Sequence, residues 1–209
     1  SFYFFKKPAE KIKVHDLLNQ NIPIILDKIS WKKSMRWGEF DLYWARPLKS
    51  ILAIFNNKSL NFKYHHLESS DFTIIDKDFE DKGKKFKNFN LYKNYFKKSK
   101  IIIDQDIRKK FIKSELLKIS NRKKLLIEIN ERLLDEVTNL VNKPNIILCK
   151  FDEKFLKIPK EILITTMQFH QKYFHTFDKK EKITNNFLVV ANNKDTKGFI
   201  KSGNERVVD

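Results

Sequence analysis

The 209-residue sequence predicts an α+β fold, in which a mixed sheet packs against helices. Apolar runs of strand length and runs with helical spacing both occur, but they do not alternate strictly as they do in a doubly wound parallel sheet. Hydrophobic residues make up 41% of the chain, which is enough for a core, and no internal repeat of 20–50 residues is visible.

Strand predictions rest on short apolar runs bounded by Asn, Ser, Asp, Gly or Pro. Between two of these runs lies Asn56-Asn57-Lys58-Ser59, which predicts the turn of a hairpin. The predicted strands are residues 2–5, 51–55, 60–64, 72–75, 101–103, 146–149 and 187–191.

Helix predictions rest on apolar spacing and on end signals. Asp16 is predicted to cap the first helix, and Pro23 either to kink it or to divide it into two short helices. Pro144 is predicted to stop the fourth helix and Pro159 to begin the last. Inward stripes are predicted at Leu18, Ile22, Ile25 and Ile29; at Ile107, Phe111, Ile112, Leu116 and Ile119; and at Leu133, Leu134, Val137, Leu140 and Val141. The predicted helices are 16–29, 91–98, from 104 or 106 to about 121, 131–142 and 160–174.

The predicted organisation is a lead-in of strand and helix over residues 1–30, followed by one mixed α+β domain over 31–209. The Lys-rich stretch 81–100 is the main loop candidate. The chain begins at Ser1 without Met, so we expect it to be a piece of a longer protein.

Composition excludes several classes of site. The chain has only 4 glycines, and they are not clustered as a dinucleotide fingerprint requires. Gly198-Phe-Ile-Lys-Ser-Gly203 is the nearest match to a P-loop, but Asn204 follows where Lys is needed. The single Cys149 excludes internal disulfides and Cys-based zinc sites. We expect a cytoplasmic protein without membrane spans.

The formal net charge is +17, from 43 basic and 26 acidic residues. Six of the basic residues are Arg, and the others are Lys. A surface this positive attracts polyanions such as nucleic acid. The abundance of Lys, Asn, Ile and Phe also fits an AT-rich coding sequence, which would leave the charge spread over solvated faces.

Titratable residues give no predicted catalytic centre and no metal site. His65 and His66 are adjacent, and His170 and His175 are five apart, so neither pair has the spacing of shared metal ligands. His170 falls on an apolar helical row, which predicts a hydrogen-bonded histidine at a core edge. Carboxylates around residues 71–81 alternate with Lys, which is typical of a solvated cluster.

A first candidate site lies at Met35-Arg-Trp-Gly38 and Arg46-Pro47, near Trp31, Trp37 and Trp44. In a chain that otherwise uses Lys, Arg36 and Arg46 indicate a need for planar bidentate donors, which clamp phosphates or stack on bases. The alternative is that they pair with carboxylates and brace a hairpin, with the tryptophans in the core.

A second candidate site lies on the predicted helix 160–174. Its polar face carries Thr165, Gln168, Gln171 and Lys172, which could contact an RNA backbone or a partner subunit. The alternative is an ordinary amphipathic helix with a solvated face.

These segments resemble the beta subunit of bacterial heterotetrameric glycine–tRNA ligase. Met35-Arg-Trp-Gly38 with Arg46-Pro47 is similar to the family's "MRWG…RP" region. Further similarities follow in the same order along the chain, at 134–144, 151–161, 163–174, 187–192 and 202–208. One departure is at residues 71–79, where of the family's Gly-His-Arg-Phe stretch only Phe79 remains.

The resemblance implies a helper segment without its own adenylation centre. It implies that ATP, Mg and glycine are used on the alpha subunit, that the partners are this subunit and tRNA(Gly), and that the fold is similar to the B3/B4 domain of the phenylalanyl-tRNA synthetase beta subunit. Arg36, Arg46, Gln171 and Lys172 are then the candidate tRNA contacts. A purely structural assembly domain is the alternative, and the B3/B4 likeness also raises a hydrolytic editing pocket, for which the sequence supplies no base.

Overall fold

The structure is a computed structural model that describes residues 3–5, 11–73 and 83–208. The chain forms two compact units, Ser1–Asn94 and Tyr95–Asp209. The described residues contain both helices and several small sheets, which confirms the α+β class. The predicted domain boundary between residues 30 and 31 stays a prediction.

The first unit is built from one helix and short strands. Hairpin-like antiparallel pairs join β1 to β2, β4 to β5 and β8 to β9, while β7 pairs with β3 in parallel and with β6 in antiparallel fashion. The elements are α1 (Val14–Asp27), β1 (Met35–Arg36), β2 (Tyr43–Trp44), β3 (Ile51–Leu52), β4 (Ile54–Phe55), β5 (Lys58–Ser59), β6 (Lys63–Tyr64), β7 (Leu67–Ser70), β8 (Phe72–Thr73) and β9 (Lys84–Lys85).

The core of the first unit joins α1 to the small sheets. Its buried members are Leu42, Leu60, Phe62 and Tyr64, and α1 packs on them through Leu18, Ile22 and Leu26. The predicted stripe is therefore right at its first two positions. It is wrong at Ile25 and Ile29, which are 58% and 39% exposed. Leu26 packs on the cluster instead, and Ile29 lies beyond the end of α1.

The beginning of α1 also differs from the prediction. Lys13 is at the N-cap position without a side-chain cap, and Asp16 lies in the first turn instead of capping the helix. There its carboxylate still favours the positive end of the helix dipole. The helix continues through Pro23, so two separate short helices are not formed.

The predicted hairpin is tighter than expected. Asn56 and Asn57 have φ values of 48° and 61°, so they alone make the turn between β4 and β5. Two successive positive-φ residues give a turn whose twist matches paired strands, and Asn tolerates this conformation. The predicted second arm, residues 60–64, contributes its end to β6, which pairs with β7 around His65 and His66.

Two predicted strands are wrong in the described residues. Residues 3–5 have no regular structure and are almost fully exposed, whereas Phe2 lies outside the described residues. Residues 101–103 form no strand, because their backbone is bound by loop and side-chain groups instead. The predicted strand 72–75 is confirmed at β8, and its last two residues lie outside the described part.

The second unit is a three-stranded antiparallel sheet in the order β10-β12-β11, covered by helices. A helix that spans the boundary of the two units, α2 (Phe89–Lys98), precedes it. The elements are α3 (Gln105–Arg122), α4 (Glu131–Leu140), β10 (Asn145–Lys150), a 3-10 helix (Glu153–Lys157), α5 (Lys160–Thr165), a π-helix (Thr166–Gln171), β11 (Phe174–Phe177), β12 (Ile183–Ala191) and α6 (Phe199–Val208).

Both faces of this sheet are buried, which explains the continuous apolar run in β12. Leu188 and Val190 pack against the α3 and α4 side, while Phe187 and Val189 pack on the other side. Alternate strand residues point to opposite faces, so a strand covered on both sides must be apolar throughout. Residues 146–149 follow the same rule, and the strands predicted at 146–149 and 187–191 are confirmed within longer ones.

The ends of α3 and α4 follow capping chemistry. Asp104 Oδ1 accepts a hydrogen bond from the Ile107 backbone N–H at 2.9 Å, which confirms the predicted cap. Asn130 caps α4 in the same way through Leu133 at 3.1 Å. The predicted inward positions are partly wrong: Ile107 is 57% exposed and Leu140 is 64% exposed.

The last predicted helix ends early. Instead of one α-helix over 160–174, α5 is followed by the π-helix, and Lys172 then has φ 61°, in the left-handed region. Tyr173 and Phe174 are buried and lead into β11, which sequence reasoning missed. The α6 helix was also missed.

Candidate nucleic-acid interface

The β1–β2 hairpin presents Arg36 on an exposed face. Arg36 pairs with Tyr43 and Met35 pairs with Trp44. Directly opposed residues share a face, so the guanidinium and the Tyr43 ring lie on the same side of the hairpin, where Tyr43 is 62% exposed. This arrangement offers a planar cation beside an aromatic ring, which suits stacking of a base.

The other face of the hairpin is anchored in the first unit. The Trp44 ring packs edge-on against Trp31 at 4.9 Å and against Tyr64 at 6.1 Å between ring centroids. Trp44 also packs on the buried cluster of this unit. The tryptophans therefore differ in role. Trp44 packs against the core of the first unit, whereas Trp37 is 44% exposed and available for contact.

Arg36 keeps most of its hydrogen-bonding capacity. Its Nη1 lies 3.7 Å from Asp41 Oδ1, and the two side chains are 54% and 91% exposed. A surface pair of this length contributes little to stability, and water screens it. The sequence alternative, in which carboxylate pairing braces the hairpin, therefore applies only weakly to Arg36.

Aromatic rings extend this surface through the turn. Gly38 has φ +59°, a conformation that favours glycine, and it allows the chain to reverse between Trp37 and Phe40. The Phe40 ring stacks on His66, with centroids 3.7 Å apart and an interplanar angle of 6°. Phe40 is still 40% exposed, so the turn adds exposed apolar ring surface next to Trp37.

Arg46 lies in the bend that follows β2 and is exposed. Among the residues that the structure describes, no carboxylate lies within 4.0 Å of it. Its guanidinium is thus available to an anion from solution.

Gln171 and Lys172 lie in the second unit and line different cavities. Lys172 Nζ is 2.8 Å from Glu136 Oε1, and Lys172 borders a cavity of about 390 Å³. Gln171 borders another cavity, of about 170 Å³, together with apolar residues such as Met167 and Val208. The predicted continuous polar strip is therefore wrong, because the π-helix and the left-handed Lys172 turn the two side chains apart.

Gln168 is half-buried and borders the same cavity as Lys172. Its side-chain amide lies 3.3 Å from His175 Nδ1 and 3.3 Å from Asn130 Nδ2. His175 is 2% exposed on β11, whereas His170 is exposed. The prediction of a core-edge histidine at 170 is wrong, and the buried histidine is the one in the strand.

The cavity at Lys172 contains two residues that sequence reasoning missed. Arg132 and Phe169 line it, and Phe169 is 60% exposed. The cavity thus combines two cations, an exposed ring and one carboxylate, Glu136. The rarity of Arg in this chain was a signal for Arg132, whereas the π-helix that exposes Phe169 has no obvious sequence signature.

The buried titratable groups in the described part of the chain include no activated nucleophile. Burial raises the pKa of the Cys149 thiol to about 12, with the Glu205 charge adding to the effect. Burial lowers the pKa of His175, against a smaller opposing effect of Glu128. The described residues contain no cluster of three or more metal-ligating side chains. The expectation that the segment has neither catalytic residues nor a metal stays a prediction.

None of the helices in the described ranges combines the length and the apolar character needed to cross a bilayer.

Known proteins similar to this chain are parts of a tRNA synthetase. These relatives carry the name glycine–tRNA ligase beta subunit, which is a component of an aminoacyl-tRNA synthetase. Those from Rickettsia peacockii (strain Rustic) and Rickettsia africae (strain ESF-5) are each 36% identical over 208 residues. The relative from Rickettsia felis is 35% identical over 210 residues. These alignments cover 99% of this chain and 31% or 32% of the relatives, so the chain spans about a third of their length.

A family model described as the glycyl-tRNA synthetase beta subunit matches residues 1–209. The chain therefore belongs to the glycyl-tRNA synthetase beta subunit family. The resemblance drawn from "MRWG…RP" and the segments that follow it is confirmed.

Proposed function

We propose that this chain is an accessory segment of a glycine–tRNA ligase, which contacts tRNA(Gly) and helps to organise the subunits. In this proposal the ligase attaches glycine to its tRNA at the expense of ATP in the cytoplasm. The alpha subunit binds ATP, Mg and glycine, and this segment supplies phosphate and base contacts that orient the tRNA. The observation that carries the proposal is family membership over all 209 residues.

Charge and exposure support the RNA-contacting part of the proposal. The chain has a net charge of +17. Arg36 is exposed opposite Tyr43, and Arg46 is exposed in the bend that follows β2. Guanidinium groups bind phosphates in a bidentate manner, and exposed rings stack on unpaired bases. We assign Arg36 and Arg46 to one contact surface.

Gln171 and Lys172 are the second pair of proposed contacts. Lys172 reaches the cavity that also contains Arg132 and Phe169, where its charge is partly compensated by Glu136. We expect Lys172 to contribute through this cavity and Gln171 to contribute less, because Gln171 borders a mostly apolar cavity. A likeness to the B3/B4 domain of phenylalanyl-tRNA synthetase remains part of the proposal.

The test is a salt titration of tRNA(Gly) binding by the full chain, alone and with the alpha subunit. Each phosphate contact that is lost should make the slope of log affinity against log salt less steep by about 0.7–0.9. We expect Arg36→Ala and Arg46→Ala each to weaken binding and to reduce the slope. Arg122→Ala removes an exposed arginine near the end of α3 and serves as the control. An equal effect of all three variants would contradict the assignment.

An assembly role without tRNA contact is the second candidate function. The exposed apolar side chains of α1 favour it. No residue of α1 is fully buried, and Leu17, Ile24 and Ile25 are 47%, 52% and 58% exposed. Such an apolar face fits a protein partner. Absence of tRNA binding at every salt concentration, together with loss of alpha-subunit association in Ile24→Asp, would favour assembly over RNA contact.

A further inference from the structure

A groove in the second unit combines an apolar floor with a rim of lysines. Its volume is about 360 Å³. Ile102, Phe111 and Pro144 form the floor, and Phe111 is 39% exposed. The rim carries Lys100, Lys143 and Lys194, and none of the groove's lining residues is acidic. We call this feature the lysine groove.

Hydrogen bonds between three chain segments build the lysine groove. The Ile102 backbone N–H donates to the Asn142 carbonyl at 2.8 Å. Asn192 Oδ1 accepts from the backbone N–H groups of Asn142 and Lys143, at 2.9 and 3.2 Å. The segments that carry the three lysines are therefore tied to one another, which fixes where these side chains leave the backbone.

The rim of the lysine groove is positively charged. In the described ranges neither Lys100 nor Lys194 has a carboxylate within 4.0 Å, although several other lysines of the chain do. Three ammonium groups around a surface without acids repel one another and create a positive potential. An anion bound between them would relieve this repulsion.

We propose that the lysine groove binds an unpaired nucleotide of an RNA strand. The base packs on Phe111 and Pro144, and the phosphates on either side contact Lys100, Lys143 and Lys194. An apolar, partly aromatic floor with a cationic rim is the combination that binds single-stranded nucleic acid. Cations on three separate segments match successive phosphates of a strand better than the single phosphate of a mononucleotide. The inference rests on the proposed RNA-binding function, and it adds a site that is separate from Arg36 and Arg46.

The floor also predicts the specificity of the groove. Its ring and aliphatic surfaces have no donors or acceptors that could read a base edge, so binding should depend little on base identity. Double-stranded RNA should bind more weakly, because its bases are stacked and paired and cannot reach Phe111.

The test measures fluorescence anisotropy of a labelled six-nucleotide single-stranded RNA with the purified full chain. The variant Lys100→Gln, Lys143→Gln, Lys194→Gln should lose at least tenfold in affinity, and its salt slope should become less steep by about 2. Phe111→Leu should weaken binding about fivefold or more. The matched control removes the same charge at exposed positions elsewhere, as Lys179→Gln, Lys180→Gln, Lys182→Gln, and should change affinity less than threefold.

Three outcomes would overturn the proposal. The first is an equal loss in the control triple variant, which would show non-specific attraction. The second is displacement of the RNA by AMP at equal concentration, which would indicate a mononucleotide site. The third is unchanged affinity in Phe111→Leu with an unchanged melting temperature. If one of these outcomes is found while Arg36→Ala and Arg46→Ala still weaken tRNA(Gly) binding, only the groove proposal fails. If the chain binds no tRNA at all, the proposed function fails.

Discussion

Arg108 joins the beginning of α3 to the end of α4. Its Nε donates a hydrogen bond to the Thr138 carbonyl at 2.8 Å, and its Nη1 donates to the Ile102 carbonyl at 2.5 Å. Nη1 also lies 3.2 Å from the Ile103 carbonyl oxygen. One guanidinium therefore satisfies carbonyl groups that no strand or helix pairs, and it fixes the segment that forms part of the lysine groove.

Replacing Arg108 should destabilise the second unit. Hydrogen bonds from a charged donor contribute about 1.5–3 kcal/mol, so we expect Arg108→Ala to lower the free energy of unfolding by about 2–3 kcal/mol. Arg108→Lys should recover less than half of this, because an ammonium cannot reproduce the planar fork. Urea denaturation checks both, with the exposed Lys110→Ala as control. A Lys variant as stable as the parent would contradict the bracing role.

Gly83 lies against the ring of Phe72, where β8 pairs with β9. A Cβ at residue 83 would overlap this ring, so Gly83→Ala should cost about 1–3 kcal/mol of unfolding free energy. Gly203→Ala is the matched control, because no atom lies within 4 Å of its added Cβ and it lies in α6. It should stabilise the chain by about 0.5–1 kcal/mol. Thermal unfolding of both variants tests the pair, and equal effects would refute the overlap.

Cys149 should react slowly with thiol reagents in the folded chain. It is fully buried, and its pKa is raised to about 12 by burial, so little thiolate forms at pH 8–9. Because the sequence contains 1 cysteine, labelling with a chromogenic disulfide reports this site alone. We expect one equivalent to react rapidly in 6 M guanidinium and at least 100-fold more slowly in buffer. Fast labelling in buffer would mean that the sheet face over Cys149 is open.

His175 should make stability fall as the solution becomes more acidic. Burial lowers its pKa below the ordinary value of 6.5 in the folded state. Between 6.5 and the folded pKa, the unfolded chain binds more protons than the folded chain, so stability decreases as the pH decreases. His175→Phe should flatten the dependence in this window, whatever its effect on absolute stability. Denaturation curves at pH 5 to 8 measure it, and an unchanged slope in His175→Phe would contradict the prediction.

The part of the fold that could be predicted from the sequence is the part dictated by local chemistry. The apolar run in β12 and the cap at Asp104 have direct local causes, and both are confirmed. The predicted inward stripe of α3 does not include Arg108. The Arg108 side chain turns inward because carbonyls from distant segments need donors, and residue spacing cannot show that.

The candidate site was also predictable only in part, because part of its geometry depends on structure that residue spacing cannot show. The scarcity of arginine indicated Arg36 and Arg46, and both are exposed. The separation of Gln171 from Lys172 depends on the π-helix, which local residue spacing does not predict. The lysine groove could not be predicted, because its lysines come from segments almost one hundred residues apart.

The central position of β12 has a consequence for how the second unit comes apart. This strand shares backbone hydrogen bonds with β10 and β11, and its side chains contribute to both hydrophobic clusters. Detachment of the helices on either side would uncover apolar atoms of the same strand. The unit should therefore melt as one cooperative body, and the amide protons of β12 should be the last to exchange with heavy water.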